Sequence, residues 1–192
     1  MDIRNFLFKY RSYTPIPIGV MIVYFARQDS ALLLIGVPFL LLGESIRVWA
    51  VSYAGGETRT RRVGAPALCS SGPFAFVRNP LYLGNMFMYL GIVFIAGSAN
   101  IWLMVATTLA FFLVQYSLIV SLEEETLGAI FGQEYEEYRS NVPAIFPRLS
   151  RWDTRDKRKP ASMLKTIKTE KRTLQNVIFI LLLIFLRTQA LS

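Results

Sequence analysis

The sequence predicts an all-α, polytopic integral membrane protein that folds as a helical bundle with about five membrane-embedded helices. Of its 192 residues, 53% are hydrophobic and 18% are charged, whereas about 25% of residues in ordinary soluble domains are charged. The mean hydropathy of the chain is +0.39. Apolar runs of membrane-spanning length recur along the chain between short polar breaks, and this pattern is typical of one membrane domain.

Five apolar runs carry this prediction. The runs at 31–54, 80–97 and 101–122 are long enough, or nearly so, to cross about 30 Å of hydrocarbon as helices. The run at 15–26 is short, and the run at 177–186 spans only when its flanks are included. The number of complete crossings therefore depends on the first and last runs.

The third apolar run begins with a helix-start signal, in which Asn79 precedes Pro80. Asparagine at this position accepts a hydrogen bond from a free backbone N–H of the first turn, and proline at the first helical position leaves no N–H unpaired. The pair is therefore expected to start a helix. This structural role leaves Arg78, Tyr82 and Gly84 to be explained.

The distribution of basic residues predicts the orientation in the membrane. Lys and Arg crowd the N-terminus, the loop at 55–78 and the segment after Leu122, but the turns near Arg27 and Gly97 carry few. Because cytoplasmic loops are enriched in Lys and Arg, the first three regions are expected to face the cytoplasm. We expect the protein in the inner or plasma membrane of the cell, with its active site on the cytoplasmic side.

Composition divides the chain into three parts. A membrane domain at 1–147 contains the core motifs at 43–147, and an apolar C-terminal helix is predicted at 173–192. Between them, the segment 148–172 holds ten basic and three acidic residues. Such a segment is expected to lie against the anionic lipid of the bilayer, with about 1 kcal/mol of attraction for each basic residue. Nucleic-acid binding is not expected, because the segment lacks a recognition motif and interleaved aromatic residues.

Two kinds of side chain are nearly missing, and this limits the chemistry. The chain has no His and a single Cys, Cys69, so a histidine base, an intrachain disulfide and a multi-cysteine zinc site are excluded. No metal is predicted. The reaction must use carboxylates, Arg, Lys, Tyr, backbone groups or a bound cofactor.

The short turn after Gly97 makes the runs at 80–97 and 101–122 antiparallel neighbours, so their other ends lie about 8–10 Å apart. One of these ends carries Arg78, and the other carries the acidic cluster 123–125. A guanidinium and carboxylates are therefore expected to meet at the cytoplasmic membrane surface. Ordinary charges at helix ends are the alternative interpretation.

Two further groups of residues are open to a structural and a functional interpretation. Phe131, Tyr135 and Tyr138 share one helical face, which is typical of a packing stripe as well as of a ligand cover. Glu44 and Arg47 lie three residues apart inside an apolar run. Ionisable groups in the membrane are costly and usually functional, although two opposite charges also neutralise each other.

Asn85 and Gln115 fall at similar depth on neighbouring helices, which favours an interhelical hydrogen bond.

Two separated motifs carry a family resemblance. The first reads Gly-Pro-Phe at 72–74 and Val-Arg-Asn-Pro-Leu-Tyr-Leu-Gly at 77–84, and the second reads Glu-Glu at 123–124, Phe-Gly-Gln-Glu-Tyr at 131–135 and Val-Pro at 142–143. With these motifs the chain resembles the isoprenylcysteine carboxyl methyltransferase family, within the wider group of membrane phospholipid methyltransferases. The resemblance implies S-adenosylmethionine as the methyl donor, held near the cytoplasmic surface, and a lipophilic acceptor that enters from the bilayer.

The two motifs also supply the expected site residues. Arg78 is expected to pair with the carboxylate of the donor, and the acidic residues with its amino group or ribose hydroxyls. Glu44, Arg47 and Arg59 are the predicted catalytic residues. The arginines would orient a carboxylate acceptor, and Glu44 is a candidate base for an amine acceptor. Many family members have histidine where this chain has Asn79. The predicted donor-binding set is Arg78, Asn79, Pro80, Tyr82, Gly84, Glu123, Glu124, Tyr135 and Tyr138.

Several alternatives remain open at this stage. The acceptor is expected to be an isoprenylcysteine-type carboxylate or another lipid-like molecule, with a phospholipid amine as the alternative. A sterol-reductase-like enzyme with a nicotinamide cofactor, or a non-catalytic transporter or scaffold, would also fit a helical membrane protein. The sequence leaves the oligomeric state open.

Overall fold

A computed structural model of the chain describes residues 2–27, 29–56 and 63–190. Within these ranges the protein forms seven α-helices, a 3-10 turn at Gly72–Ala75, and no β-strand. The predicted all-α class is therefore confirmed. The helices are α1 Ile3–Tyr10, α2 Ile16–Tyr24, α3 Ser30–Ala54, α4 Pro80–Ala96, α5 Ile101–Phe131, α6 Gln133–Asn141 and α7 Met163–Gln189.

The helices follow the apolar runs, with two extensions. Among the described residues, α3 and α5 are long and apolar enough to cross a membrane, whereas α4, with 17 residues, is a shorter apolar helix. The helix α5 continues nine residues past Leu122, the end of its apolar run, and α7 begins ten residues before 173. Five membrane-embedded helices and a cytoplasmic catalytic face stay predictions.

Four glycines bring α3 and α4 into backbone contact. Gly36 and Gly43 lie two turns apart on α3, and they face Gly84 and Gly91 on α4. A Cβ on Gly43 would lie 2.5 Å from the backbone N of Met88, and one on Gly91 would lie 2.5 Å from the backbone N of Leu40. Small residues at such positions allow close approach of membrane helices. Gly84, predicted to bind the donor, therefore lies in a helix–helix contact.

The turn between α4 and α5 is tied to the end of α2. The backbone N–H of Arg27 donates to the carbonyl of Ala96 at 2.7 Å, and Ile22 and Ile184 bury their side chains beside Ile92 of α4. This apolar cluster joins α2, α4, α5 and α7 at one end of the bundle. The charged residues of the predicted site lie toward the other end.

The segment 148–161, which we call the strap, runs along the loop that precedes α4 and ends against the last turn of α3. The backbone N–H of Trp152 donates to the carbonyl of Ala75 at 3.0 Å, and that of Ala161 donates to the carbonyl of Ser52 at 2.6 Å. The carboxylate of Asp156 accepts hydrogen bonds from both the backbone N–H and the hydroxyl of Ser71. Part of the basic segment is therefore packed on protein, which its charge alone did not predict.

Candidate active site

The predicted meeting of Arg78 with the acidic cluster is confirmed by the geometry. The Nη2 and Nε atoms of Arg78 lie 2.6 and 3.2 Å from Oε1 of Glu124. Both side chains are largely buried, with 10% and 16% of their surfaces exposed. The short turn at Gly97 causes this meeting, because it places the start of α4 beside the second half of α5.

Arg78 also fastens the end of α6 to the start of α4. Its Nη1 donates to the carbonyl of Arg139 at 2.9 Å and to the carbonyl of Val142, and its backbone N–H donates to the carbonyl of Pro143 at 2.9 Å. Together with the bonds to Glu124, these contacts use four of the five side-chain N–H groups. A bidentate pair between Arg78 and the donor's carboxylate would require some of these contacts to break.

The structure confirms the helix start at Pro80 and corrects the role of Asn79. Asn79 is the N-cap residue and Pro80 is the first residue of α4, but the Asn79 side chain does not cap the helix. Its Nδ2 instead donates to the carbonyl of Ala144 at 3.0 Å. The reason is local, since the segment after α6 lies against the start of α4 and offers a carbonyl there. Asn79 therefore acts as a second tie between these two segments.

Tyr82 and Glu123 form the part of the site that keeps free acceptor capacity. The Tyr82 hydroxyl donates to Oε2 of Glu123 at 3.0 Å, and its ring stacks on Tyr116 with centroids 4.4 Å apart. Glu123 is half-buried. Among the described residues its carboxylate accepts this one hydrogen bond, whereas two carboxylate oxygens can accept about four.

Tyr135 and Tyr138 lie in a packed cluster between α6, the strap and the loop before α4. Their side chains are buried against Leu68, Val142 and Trp152. The Tyr138 hydroxyl donates to the carbonyl of Phe74 at 2.8 Å, and burial raises the pKa of this phenol well above its ordinary value. Both tyrosines serve as packing here, and their role as a cofactor cover stays a prediction.

Arg47 lies in the middle of a polar network that joins four helices, α3, α4, α5 and α7. Its Nη1 donates to Oδ1 of Asn85 at 2.5 Å, and its Nη2 donates to Glu170 of α7 at 2.7 Å and to Thr173 at 3.2 Å. The Asn85 amide in turn donates to the Tyr116 hydroxyl at 2.9 Å. We call these five residues the Arg47 network.

Sequence reasoning missed Glu170 as the ion-pair partner of Arg47. The signal was present, because Glu170 is the one acidic residue in α7, Met163–Gln189. It lay outside the recognised motifs, however, and 123 residues from Arg47. The predicted interhelical bond of Asn85 is made to Tyr116 and not to Gln115, whose buried side chain has no hydrogen-bond partner in the described part of the chain.

The other two predicted catalytic residues are placed differently. Glu44 is half-buried on α3, one turn before Arg47. Arg59 lies outside the described residues. Neither role is tested by the geometry, and both stay predictions.

The Arg47 network and the acidic cluster are joined through a pair of stacked rings. Tyr116, the last member of the network, stacks on Tyr82, which bonds to Glu123. Glu123 directly precedes Glu124, the partner of Arg78. A chain of contacts thus leads from the buried guanidinium of Arg47, inside the bundle, to the Glu123 carboxylate at the charged end, which can accept further hydrogen bonds.

Comparison with known families gives a match to phospholipid methyltransferase over residues 31–134, more than half of the chain. This range includes α3, α4, α5 and the Arg78–Glu124 pair. It leaves out the strap and α7.

Similar proteins include a protein-S-isoprenylcysteine O-methyltransferase of Schizosaccharomyces pombe, 31% identical over 65% of this chain and 51% of that protein. The cobalt-zinc-cadmium resistance protein CzcN of Cupriavidus metallidurans is 32% identical over 61% of the chain and 48% of that protein. The nickel-cobalt-cadmium resistance protein NccN of Alcaligenes xylosoxydans xylosoxydans is 29% identical over 64% and 53%. The chain spans about half the length of these curated relatives. No solved structure matches.

Proposed function

The chain belongs to the phospholipid methyltransferase family, and from this premise we propose that it transfers a methyl group from S-adenosylmethionine to a lipophilic acceptor at the cytoplasmic membrane interface. The observation that carries the proposal is the connection between the Glu123–Glu124 cluster and the buried Arg47 network. The charged methyl donor would bind at the Glu123–Glu124 cluster, and the membrane-borne acceptor would bind next to it at the Arg47 network. The relatives named as isoprenylcysteine methyltransferases support the same reading.

The residues at the charged end fit the donor. S-adenosylmethionine supplies an electrophilic methyl group on a sulfonium, together with an ammonium group and ribose hydroxyls. The Glu123 carboxylate can accept hydrogen bonds from the ammonium group and the ribose hydroxyls, and the hydrogen bond from Tyr82 fixes the orientation of Glu123. Arg78 holds Glu124 and the end of α6 in place, so we assign it a positioning role in the donor site.

The interior of the bundle fits an acceptor with a polar head and an apolar tail. Arg47 and Asn85 are polar groups on largely apolar helices. A guanidinium orients a carboxylate, and in the transfer a carboxylate oxygen forms a bond to the methyl carbon while the carbon–sulfur bond breaks. The bonding electron pair passes to sulfur, and no proton moves. Because positioning supplies much of the rate in such displacements, this chemistry needs no histidine base.

The proposal is tested with donor that carries a label in its methyl group, incubated with the purified chain and native lipid extract. We expect label that partitions into organic solvent and is released as methanol by mild base, which identifies a methyl ester. Extractable label that survives base identifies N-methylation of a lipid amine. Absence of donor binding by calorimetry, with label found only in water-soluble products or not transferred, would contradict the proposed function.

The cytoplasmic face is tested with the chain's one thiol. Cys69 lies half-buried in the loop before α4, so we expect a charged maleimide to label it in inside-out vesicles and not in right-side-out vesicles. Detergent-solubilised protein controls for the slower reaction of a half-buried thiol. Labelling only in right-side-out vesicles would reverse the orientation.

A further inference from the structure

The buried guanidinium of Arg47 is paired with a carboxylate from the chain's own helix α7. Nη2 of Arg47 lies 2.7 Å from Oε2 of Glu170, whose side chain has no exposed surface. The contact is a charge-assisted hydrogen bond of ordinary length. A carboxylate is also the group that an isoprenylcysteine-type acceptor would bring to this arginine.

In the first half of α7, Glu170 is the one charged residue that faces the bundle. Thr166, Glu170 and Thr173 fall on one face of α7 and lie toward α3. Four basic residues of the same stretch have their side chains exposed, and they are Lys165, Lys168, Lys171 and Arg172. The family match ends at residue 134, so α7 lies outside the region that the chain shares with the family.

We propose that Arg47 is the binding site for the carboxylate of the lipophilic acceptor and that Glu170 occupies this site until the acceptor displaces it. The inference rests on the proposed function, and it narrows the acceptor to a carboxylate. Asn85 and Thr173 accept other hydrogen bonds from the guanidinium, so the incoming carboxylate would take the place on Nη2 that Glu170 now holds. Glu170 is then a specificity-determining residue, because a neutral head group cannot replace its charge on Arg47.

This proposal and a merely structural role for Glu170 predict different changes in carboxylate affinity when Glu170 is removed. If Glu170 only stabilises the bundle, its removal weakens every ligand or leaves binding unchanged. If Glu170 competes with the acceptor, its removal strengthens the binding of carboxylates and leaves the binding of matched neutral molecules alone. The decisive measurement is therefore whether removal of Glu170 strengthens the binding of carboxylates.

The first experiment measures binding of N-acetyl-S-farnesylcysteine and of its methyl ester to the full chain in lipid nanodiscs. Glu170→Gln should bind the free carboxylate at least about tenfold more tightly than wild type, and the ester within about twofold. Glu137→Gln is the matched control, since Glu137 forms an exposed pair with Arg155 at 3.8 Å. An unchanged or weaker affinity of folded Glu170→Gln for the carboxylate would overturn the proposal.

A second variant covers the case in which Glu170→Gln does not fold. Glu170→Asp keeps the negative charge but shortens the side chain by one methylene, and we expect it to bind the carboxylate about threefold more tightly than wild type. Thr173→Val keeps the ion pair intact and should not show this gain. Equal carboxylate affinity of wild type and Glu170→Asp would also overturn the proposal.

A third measurement is independent of methyl transfer and of prenyl groups. Glu170→Ala leaves room beside Arg47, so butyrate should raise the thermal unfolding temperature of this variant, while butanol should not and wild type should respond to neither. Equal responses to butyrate and butanol would overturn the carboxylate site. A specific butyrate response in a chain that transfers no methyl group would instead refute the proposed function and leave the site standing.

Discussion

Arg78 and Arg47 each pair with one glutamate, but the two pairs are held in different ways. Arg78 meets Glu124 through the short turn between α4 and α5, and backbone carbonyls at the end of α6 complete its hydrogen bonds. Arg47 meets Glu170 across 123 residues, inside the bundle, with side-chain partners alone. The first pair lies within the family match and the second does not. Local topology produces the first pair, whereas the docking of a separate helix produces the second.

The largest effect is expected from breaking the buried pair. Arg47→Ala removes the guanidinium that lies 2.7 Å from the fully buried Glu170, and such a loss typically destabilises a protein by about 3–5 kcal/mol. Unfolding in detergent is the measurement. A double-mutant cycle on Arg47 and Glu170 should give a larger coupling than one on the exposed pair of Arg155 and Glu137, where about 0–1 kcal/mol is typical. Equal couplings would show that burial does not distinguish these pairs.

The next effect concerns Arg78. Arg78→Ala should weaken donor binding by about 2–5 kcal/mol, because Glu124 and the end of α6 lose their common anchor. Arg78→Lys should recover little, since a point charge cannot serve Glu124 and two carbonyls at once. Calorimetry with S-adenosylmethionine measures both variants. The exposed Arg155→Ala, which loses only a pair with Glu137, is the control, and an unaltered donor affinity in Arg78→Ala would remove Arg78 from the donor site.

A smaller effect is expected at the glycine contact between α3 and α4. Gly43→Ala places a Cβ 2.5–2.6 Å from backbone atoms of Met88 and Gly84, and overpacking of this kind costs about 1–3 kcal/mol. Gly128→Ala is the matched control, because its nearest neighbours lie at ordinary distances of 3.7–3.8 Å. Thermal unfolding should separate the two variants. A Gly43→Ala protein as stable as wild type would mean that the helices move apart at no cost.

The smallest effect is a pH dependence of the strap. Burial raises the pKa of the Asp156 carboxyl, but hydrogen bonds from Arg158, Ser70 and Ser71 outweigh burial and hold the pKa below its ordinary value of 3.8. A lowered pKa means that the ionised carboxylate stabilises the fold above pH 3.8, and that this contribution is lost as the pH falls through the folded-state value.

The stability of Asp156→Asn measures this contribution. The variant should be less stable than wild type by about 1 kcal/mol near neutral pH, and the two proteins should converge below the ordinary aspartate range. The exposed Asp153→Asn is a control within the same strap. A difference that stays constant with pH would mean that the charge of Asp156 contributes nothing.

The sequence predicted the helices and the meeting of Arg78 with the acidic cluster because these depend on local signals. Apolar run lengths gave α3 and α4, Asn79 and Pro80 gave a helix start, and the turn at Gly97 brought Arg78 to the acidic cluster. Each of these features needs only the order of neighbouring elements. The capping bond of Asn79 was wrong, since a carbonyl from a distant segment competes for its side chain.

The Arg47 network was only partly predicted, because its contacts depend on tertiary packing and not on local signals. A charge in an apolar run marked Arg47, but no periodicity or spacing connects it to α7, which docks through tertiary packing. Likewise, charge counting placed the segment 148–172 on lipid, and it could not foresee that Asp156 and backbone groups fix the strap to the loop before α4.

The distance along the chain between Arg47 and Glu170 has a consequence for biogenesis. Chains fold from the N-terminal end during synthesis, at about 5–20 residues per second, so the 123 residues between the two partners take about 6–25 s to be made. During that interval Arg47 has no glutamate from α7, and Asn85 is the earliest of its partners to be synthesised. Until α7 is made, the guanidinium of Arg47 therefore lacks the carboxylate that it pairs with in the folded chain, and synthesis that stops before α7 leaves Arg47 without Glu170.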